Sequence, residues 1–329
     1  MTVTQPVDKK SGKKMKFKKV RNLLVKVLGA IVSVIVLLVG IVYITNVISS
    51  HSEAKKIMPY GQHVSVDGRN MNVFIQGDGP ETIVLIPGFG AAAPALDFKL
   101  LIDELSQDYK VVAVEPFGYG LSDPTEKERT TENIVSEFHE ALQGLNINRY
   151  ILMGHSISGI YALDYVNKYA DEVSAFVGLD SSVPSLSEQK IDSSETRMVK
   201  WFRNLGFARL QLKLSADPYE GLPYDEATKQ QLNLLIRKNM YNTTQLNEAE
   251  SMYSNFQRAE QQKQTFPRNL PVLFFVQANH PGSDQWVPEH AKQIKDSVRG
   301  EMVLLEANHY LYRSHSQEIA DRVRAFISF

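Results

Sequence analysis

Cysteine is missing from all 329 residues, so disulfides and thiol chemistry are excluded, a composition that fits an exported bacterial protein. Acidic residues are almost missing from the first 26 positions, where Asp8 stands alone against eight lysines and Arg21. From Val27 to Ile48 there is no charge of either sign. Beyond residue 50 the chain lacks a basic surplus. The first 50 residues hold nine basic side chains and one acid, so with an overall net charge of −1 the remainder carries −9. A body of that sign has no electrostatic footprint for nucleic acid. Internal repeats are absent, and so are long low-complexity tracts beyond the basic tail.

An uncharged run beside a basic block has a physical reading. As a helix, the 22 residues of Val27–Ile48 span about 33 Å, enough for a hydrocarbon core of about 30 Å. The sequence therefore predicts a basic cytoplasmic tail over 1–26, a transmembrane helix over 27–48, a polar linker over 49–60 and one domain over 61–329. The positive-inside rule puts that domain on the far side of the bilayer, and the tail is available to anionic headgroups. A cleaved signal peptide would share the basic and apolar regions. Its apolar core is only about 7 to 15 residues long, and the longer run here favours retention.

Past the linker, His63-Val-Ser-Val66, the turn Asp67-Gly68 and the alternating Met71, Val73 and Ile75 spell a β-hairpin. From Thr82 onward apolar strands alternate with helical patterns such as Ile134, Phe138 and Leu142. That alternation predicts an α/β domain with a mostly parallel sheet covered on both faces. About residues 184–268 break the rhythm with helical segments only. There Met198, Trp201, Phe202 and Leu205 share one face, and Leu232, Leu235, Ile236 and Met240 another. Ser314-x-x-Gln317 reads as the cap of a last helix through Ile319, Val323 and Phe326.

The chemistry concentrates at strand ends. The apolar run Tyr150-Ile-Leu-Met153 leads into Gly154-His155-Ser156-Ile157-Ser158-Gly159. A serine at such a strand-to-helix turn is lifted clear of the sheet, and the first N–H groups of the next helix point at whatever it attacks. The strict pattern has glycine two residues after the serine, where this chain has Ser158. A second strand, Thr82-Ile-Val-Leu-Ile86, runs into Pro87-Gly88-Phe89-Gly90. Its Phe89 N–H, with that of Ile157, would supply the two donors that a tetrahedral oxyanion needs. A third, Met302-Val-Leu-Leu305, ends in a loop carrying His309, the candidate general base. The other histidines outside the elbow read as solvated or structural. An imidazole needs a carboxylate to fix its tautomer. Two are placed for it: Asp284, after the strand Val272-Leu-Phe-Phe-Val276 and four residues before Pro288, itself read as the first position of a helix, and Asp180, just past Val173-Ser-Ala-Phe-Val177.

From about residue 60 to 329 the chain resembles the α/β-hydrolase superfamily, whose members run nucleophile, acid, histidine along the sequence. Ser156, Asp284 and His309 keep that order, and Asp284-Gln-Trp-Val-Pro288 reproduces the Asp-x-x-Val-Pro ending usual for the acid in that family. The resemblance thus ranks Asp284 first and Asp180, where some members carry theirs, as the alternative. Glu115-Pro-Phe-Gly-Tyr-Gly-Leu-Ser-Asp123 is similar to the segment after the family's fourth strand, with Glu115 in place of its usual aspartate. The helical stretch 184–268 falls where the family carries a lid.

The resemblance implies a serine hydrolase acting on a small-molecule acyl substrate of ester type, with no cofactor and no metal. Epoxide or haloalkane hydrolysis is disfavoured, because the resembling enzymes have aspartate where this chain has Ser156. Two readings compete. One is an aminopeptidase, whose lid carboxylate would be Glu248 or Glu250, although both read first as solvated helix residues. The other is a noncatalytic receptor on the same fold.

Overall fold

The uninterrupted apolar runs of the central strands send successive apolar side chains to opposite faces of the sheet, and each face is closed by helices. The computed structural model describes residues 9–186, 190–280 and 283–328, with side chains from Phe17 except at Ser283. The first eight residues of the expected basic tail, the side chains of its lysines through Lys16, and residues 187–189 of the expected lid lie outside the described residues.

Helix α1 (Lys9–Ala54) is followed by the hairpin β1 (Gln62–Val66) and β2 (Arg69–Gln76). Next come β3 (Thr82–Ile86), α2 (Pro94–Asp97), α3 (Lys99–Leu105), β4 (Lys110–Val114), α4 (Thr131–Gly144), β5 (Tyr150–His155), α5 (Ser158–Lys168) and β6 (Val173–Leu179). Four helices then interrupt the sheet: α6 (Ser193–Asn204), α7 (Phe207–Leu214), α8 (Glu226–Asn239) and α9 (Thr243–Gln261). The chain ends with β7 (Val272–Gln277), α10 (Ser283–Ile294), β8 (Gly300–Leu305) and α11 (Ser316–Ile327).

The sheet has eight strands in the order β1-β2-β4-β3-β5-β6-β7-β8. The first two pairings are antiparallel and the remaining five parallel. At the hairpin, Asp67 and Gly68 both take positive φ, 50° and 71°, the type I′ geometry that matches strand twist. Along β3, Val84 and Ile86 enter the apolar layer under α4 and α5, while Ile83 and Leu85 enter the layer under α3 and α11. Strand order reverses at β3, which lies between β4 and β5. Such a switch point opens a crevice at the carboxyl ends of the strands, and β3, β5, β6 and β8 all deliver loops there.

Three local expectations are corrected. Part of the expected linker 49–60 is helical, because α1 runs on through Ala54. Pro288 lies inside α10 rather than at its start, which puts Asp284 in that helix's first turn. Ser314 does not cap α11: its hydroxyl lies 2.9 Å from His315 Nδ1, and the helix begins at Ser316.

Candidate active site

The elbow is built by close approach of backbones. Ser156 is held at φ +56°, a left-handed conformation that costs a non-glycine residue and persists only where its surroundings impose it. Its amide donates to Leu179 O at 3.3 Å, and its carbonyl accepts from Gly159 N at 3.0 Å and Ser182 N at 2.7 Å. A Cβ at Gly159 would lie 2.2 Å from Ser182 O, so the last residue of the motif must be glycine. At Ser158 a hydroxyl fits and is used: it donates to His155 O at 2.7 Å and lies 3.2 Å from Ile86 O. A Cβ at Gly88 would meet His155 Nδ1 at 2.6 Å and Ser156 Cβ at 2.8 Å. Only a bare backbone can lie so close, and that brings the loop of Phe89 onto the elbow. Among the described residues, neither the Phe89 N–H nor the Ile157 N–H is taken by a hydrogen bond.

At the end of β6, the strand next to the elbow's own, the carboxylate question is decided by distance. His309 Nδ1 lies 2.7 Å from Asp180 Oδ2. Asp180 is fully buried and itself at φ +44°. Its other oxygen accepts from Gln277 N at 3.0 Å and from Trp286 Nε1 at 2.9 Å. Burial alone would raise this carboxyl, but the hydrogen bonds from His309, Gln277 and Trp286 outweigh it and hold Asp180 below the ordinary aspartate range. Asp284 is exposed on α10. The expectation that Asp284 partners His309 is therefore corrected in favour of Asp180. The turn that ends β7 already donates to Asp180, so the carboxylate that meets the imidazole comes from the neighbouring strand.

The loop carrying His309 is pinned at two further points. His155 Nε2 lies 3.0 Å from His309 O, and the two rings stand 4.6 Å apart. Burial, then the nearby His309, lowers His155 to about 3, so it is neutral at physiological pH and its Nε2–H donates. Further along, Arg313 Nε and Tyr312 OH donate to buried Asp97 at 2.8 and 2.7 Å. With Nδ1 committed to Asp180, Nε2 of His309 is the nitrogen left for proton transfer, on a side chain 37% exposed.

A profile of known families matches residues 83–322, described as the alpha/beta hydrolase family. The chain belongs to the alpha/beta hydrolase family. Over 190 residues it is 33% identical to the uncharacterized protein YbdG of Bacillus subtilis (strain 168), covering 56% of this chain and 58% of that one. Like this relative, the other curated proteins first in similarity are matched over less than two thirds of their length. Among solved structures, an esterase from Exiguobacterium antarcticum superposes with a TM-score of 0.64 at 16% identity, covering 82% of this chain and all of the other. An epoxide hydrolase from Vigna radiata gives 0.62 at 18%, covering 81% and 97%. At those identities the likeness is one of fold.

In this alpha/beta hydrolase the four-helix insertion is wired to the glycine loop. Glu248 on α9 is buried and accepts from Tyr119 OH at 2.7 Å and Tyr161 OH at 2.8 Å. Tyr119 OH in turn accepts from Gly90 N at 3.2 Å. Burial raises Glu248 above the ordinary glutamate range. The expectation that Glu248 is solvated is thus corrected, and Glu250 is bonded to the Thr196 hydroxyl. Glu115 is likewise buried and raised by desolvation, and it accepts from Asn72, Tyr60, Leu121 N and Ala95 N. Sequence reasoning missed His155, Asp97 and Tyr119 as supports. Only a buried polar residue inside an apolar run hints at them, and that signal names no partner.

Proposed function

We propose that the chain is a membrane-anchored serine hydrolase that cleaves an ester-type acyl substrate outside the cytoplasm. Ser156 attacks the carbonyl, His309 Nε2 takes the proton, and Asp180 holds the imidazole tautomer and stabilises its cation. The N–H groups of Phe89 and Ile157 receive the oxyanion, and water resolves the acyl-enzyme through the same histidine. The observation that carries this reading is the 2.7 Å contact of His309 with Asp180 at the strand rim that also bears the strained Ser156.

An ester is favoured over an amino-acid amide because both oxygens of Glu248, one of the lid carboxylates that could hold an amine, are occupied by tyrosine hydroxyls. An epoxide is disfavoured by the serine at the nucleophile position. Anchoring is supported by α1, long and apolar enough to cross a bilayer, with the side chains of Val27–Ile48 largely uncovered by the rest of the protein. Retention of that helix is supported by its contacts with the insertion: Arg209 on α7 donates to Asn46 at 2.9 Å, to Ser50 at 2.7 Å and to Glu53.

The test uses the full chain in neutral detergent. A fluorophosphonate probe should label the wild type and spare Ser156→Ala, and p-nitrophenyl esters should be cleaved faster than aminoacyl arylamides. A wild type that takes no label would instead favour the noncatalytic receptor. Protease added outside intact cells or spheroplasts should digest the hydrolase domain and leave the basic tail, and complete protection would overturn the orientation.

A further inference from the structure

The lid helices carry apolar surface that the rest of the protein does not cover. On α6, Met198 and Trp201 are exposed, Trp201 by 64%, with Phe202 beside them. On α7, Leu210 is exposed and Leu214 is exposed by 80%. Large side chains gathered on two consecutive helices form a face that water does not favour. A cluster of this kind needs an occupant, and the position of α7 identifies one.

Helix α7 starts against the outer end of the apolar run of α1. A Cβ at Gly206 would lie 2.6 Å from Asn46 Cβ and 3.0 Å from Val42 O. Arg209 then follows α1 outward through Asn46, Ser50 and Glu53, one face of that helix. Val42 and Asn46 lie within the last two turns of Val27–Ile48, so α7 meets α1 at the depth of the outer headgroups if that run fills the hydrocarbon layer. Tryptophan is favoured at that depth.

The same junction is cationic. A cavity of about 240 Å³ opens between α1, α7 and α8, and Arg203, Arg209, Arg237 and Lys238 line it against a single carboxylate, Glu53. Lys238 turns away, its Nζ 3.3 Å from Gly120 O. Arg209 is spent on α1, and Arg203 uses Nε and Nη2 on the carbonyls of Met240 and Lys238 at 2.9 and 3.0 Å. Arg237 approaches Glu53 at 3.3 Å, but its Nε makes no hydrogen bond. Three guanidinium groups thus line the space against one acid, which Arg209 and Arg237 share, and neither Ser156 nor His309 borders it. Guanidinium forks suit phosphate oxygens.

We propose that the lid rests on the outer leaflet of the membrane that α1 crosses, with Trp201 and Leu214 in the interface and an anionic phospholipid headgroup held by Arg203 and Arg237. This rests on the anchoring reading above. It makes the lid a membrane-seated element and admits substrates by lateral transfer from the bilayer.

The experiment reconstitutes the full chain, and separately Trp201→Phe, into vesicles of brominated phosphatidylcholine, alone or equimolar with brominated phosphatidylglycerol. The chain has two tryptophans, so the difference between the two proteins isolates Trp201. That emission should be blue-shifted and mostly quenched, more strongly with phosphatidylglycerol, and Arg237→Gln should lose the phosphatidylglycerol increment. Unquenched Trp201 in a chain that floats with vesicles and resists carbonate extraction would overturn the seated lid and leave the anchor standing. A chain that does not float would overturn both. A rise in melting temperature with inorganic phosphate in neutral detergent as large as that with phosphatidylglycerol would assign the cavity to a free phosphate ester and refute the lipid.

Discussion

The rim of the sheet and the helical insertion with its apolar neighbour α1 solve the placement of polar groups in opposite ways. At the rim, Asp180 is fully buried and each of its oxygens has a partner, so the carboxylate cannot wander. At the junction of α1 and the insertion, guanidinium groups outnumber acids and apolar side chains stay uncovered. A complete polar network on parallel strands holds geometry within tenths of an ångström, as a reaction requires. An incomplete network beside an apolar face is suited to meeting a second phase, because it leaves interactions to be made there.

The largest effect that could break this contrast is loss of the nucleophile. Ser156→Ala should lower ester turnover by about 10⁴-fold or more, with an unchanged melting temperature, since either member of a nucleophile–base pair removes the whole unit. Near-normal turnover would dissolve the active site. Next comes the acid: Asp180→Asn should cost about 10³- to 10⁴-fold, whereas Asp284→Asn, a surface change, should stay within about twofold. The reverse ranking in a kcat measurement would reassign the carboxylate.

A pH titration sharpens the difference in burial. His155 is lowered from 6.5 to about 3 in the folded chain, so between those values the unfolded chain binds more protons. Stability therefore climbs with pH across that window, by up to about 1.4 kcal/mol per unit, and is complete above it. Denaturant melts of His155→Gln should show that slope removed, and an unchanged slope would refute a neutral buried imidazole. Asp180 has a lowered folded value. Its contribution is present above the unfolded value of about 3.9 and disappears as pH falls through the lower folded one.

Smaller effects probe the wire between insertion and rim. Glu248→Gln replaces one of the two acceptor oxygens with an N–H donor, and should reduce kcat by up to about tenfold, the worth of a hydrogen bond or so. No change would mean that the contact between Tyr119 and Gly90 holds the glycine loop unaided. The smallest effect is expected at the exposed face of α6: in detergent, Trp201→Ala should shift stability by less than about 0.5 kcal/mol, although the same side chain dominates the vesicle experiment.

The amino-acid sequence by itself determined everything that local spacing encodes. Gly154 to Gly159 specified the elbow, because a strand must turn sharply into a helix there and only small residues fit. The uncharged run from Val27 specified a helix able to span a bilayer, and the alternation after Thr82 specified a sheet covered on both faces. Tertiary structure alone decided which carboxylate meets His309. The strands before Asp180 and Asp284 are adjacent and end at the same rim, so spacing along the chain does not separate the two. What separates them is that β6 delivers Asp180 buried beneath the imidazole, while an extra turn of α10 carries Asp284 into solvent. The support from His155, the occupation of Glu248 and the clasp of Arg209 on α1 were decided in the same way. Each joins residues 87 or more positions apart, and a hydrogen bond carries no trace in the sequence of the partner that folding brings to it.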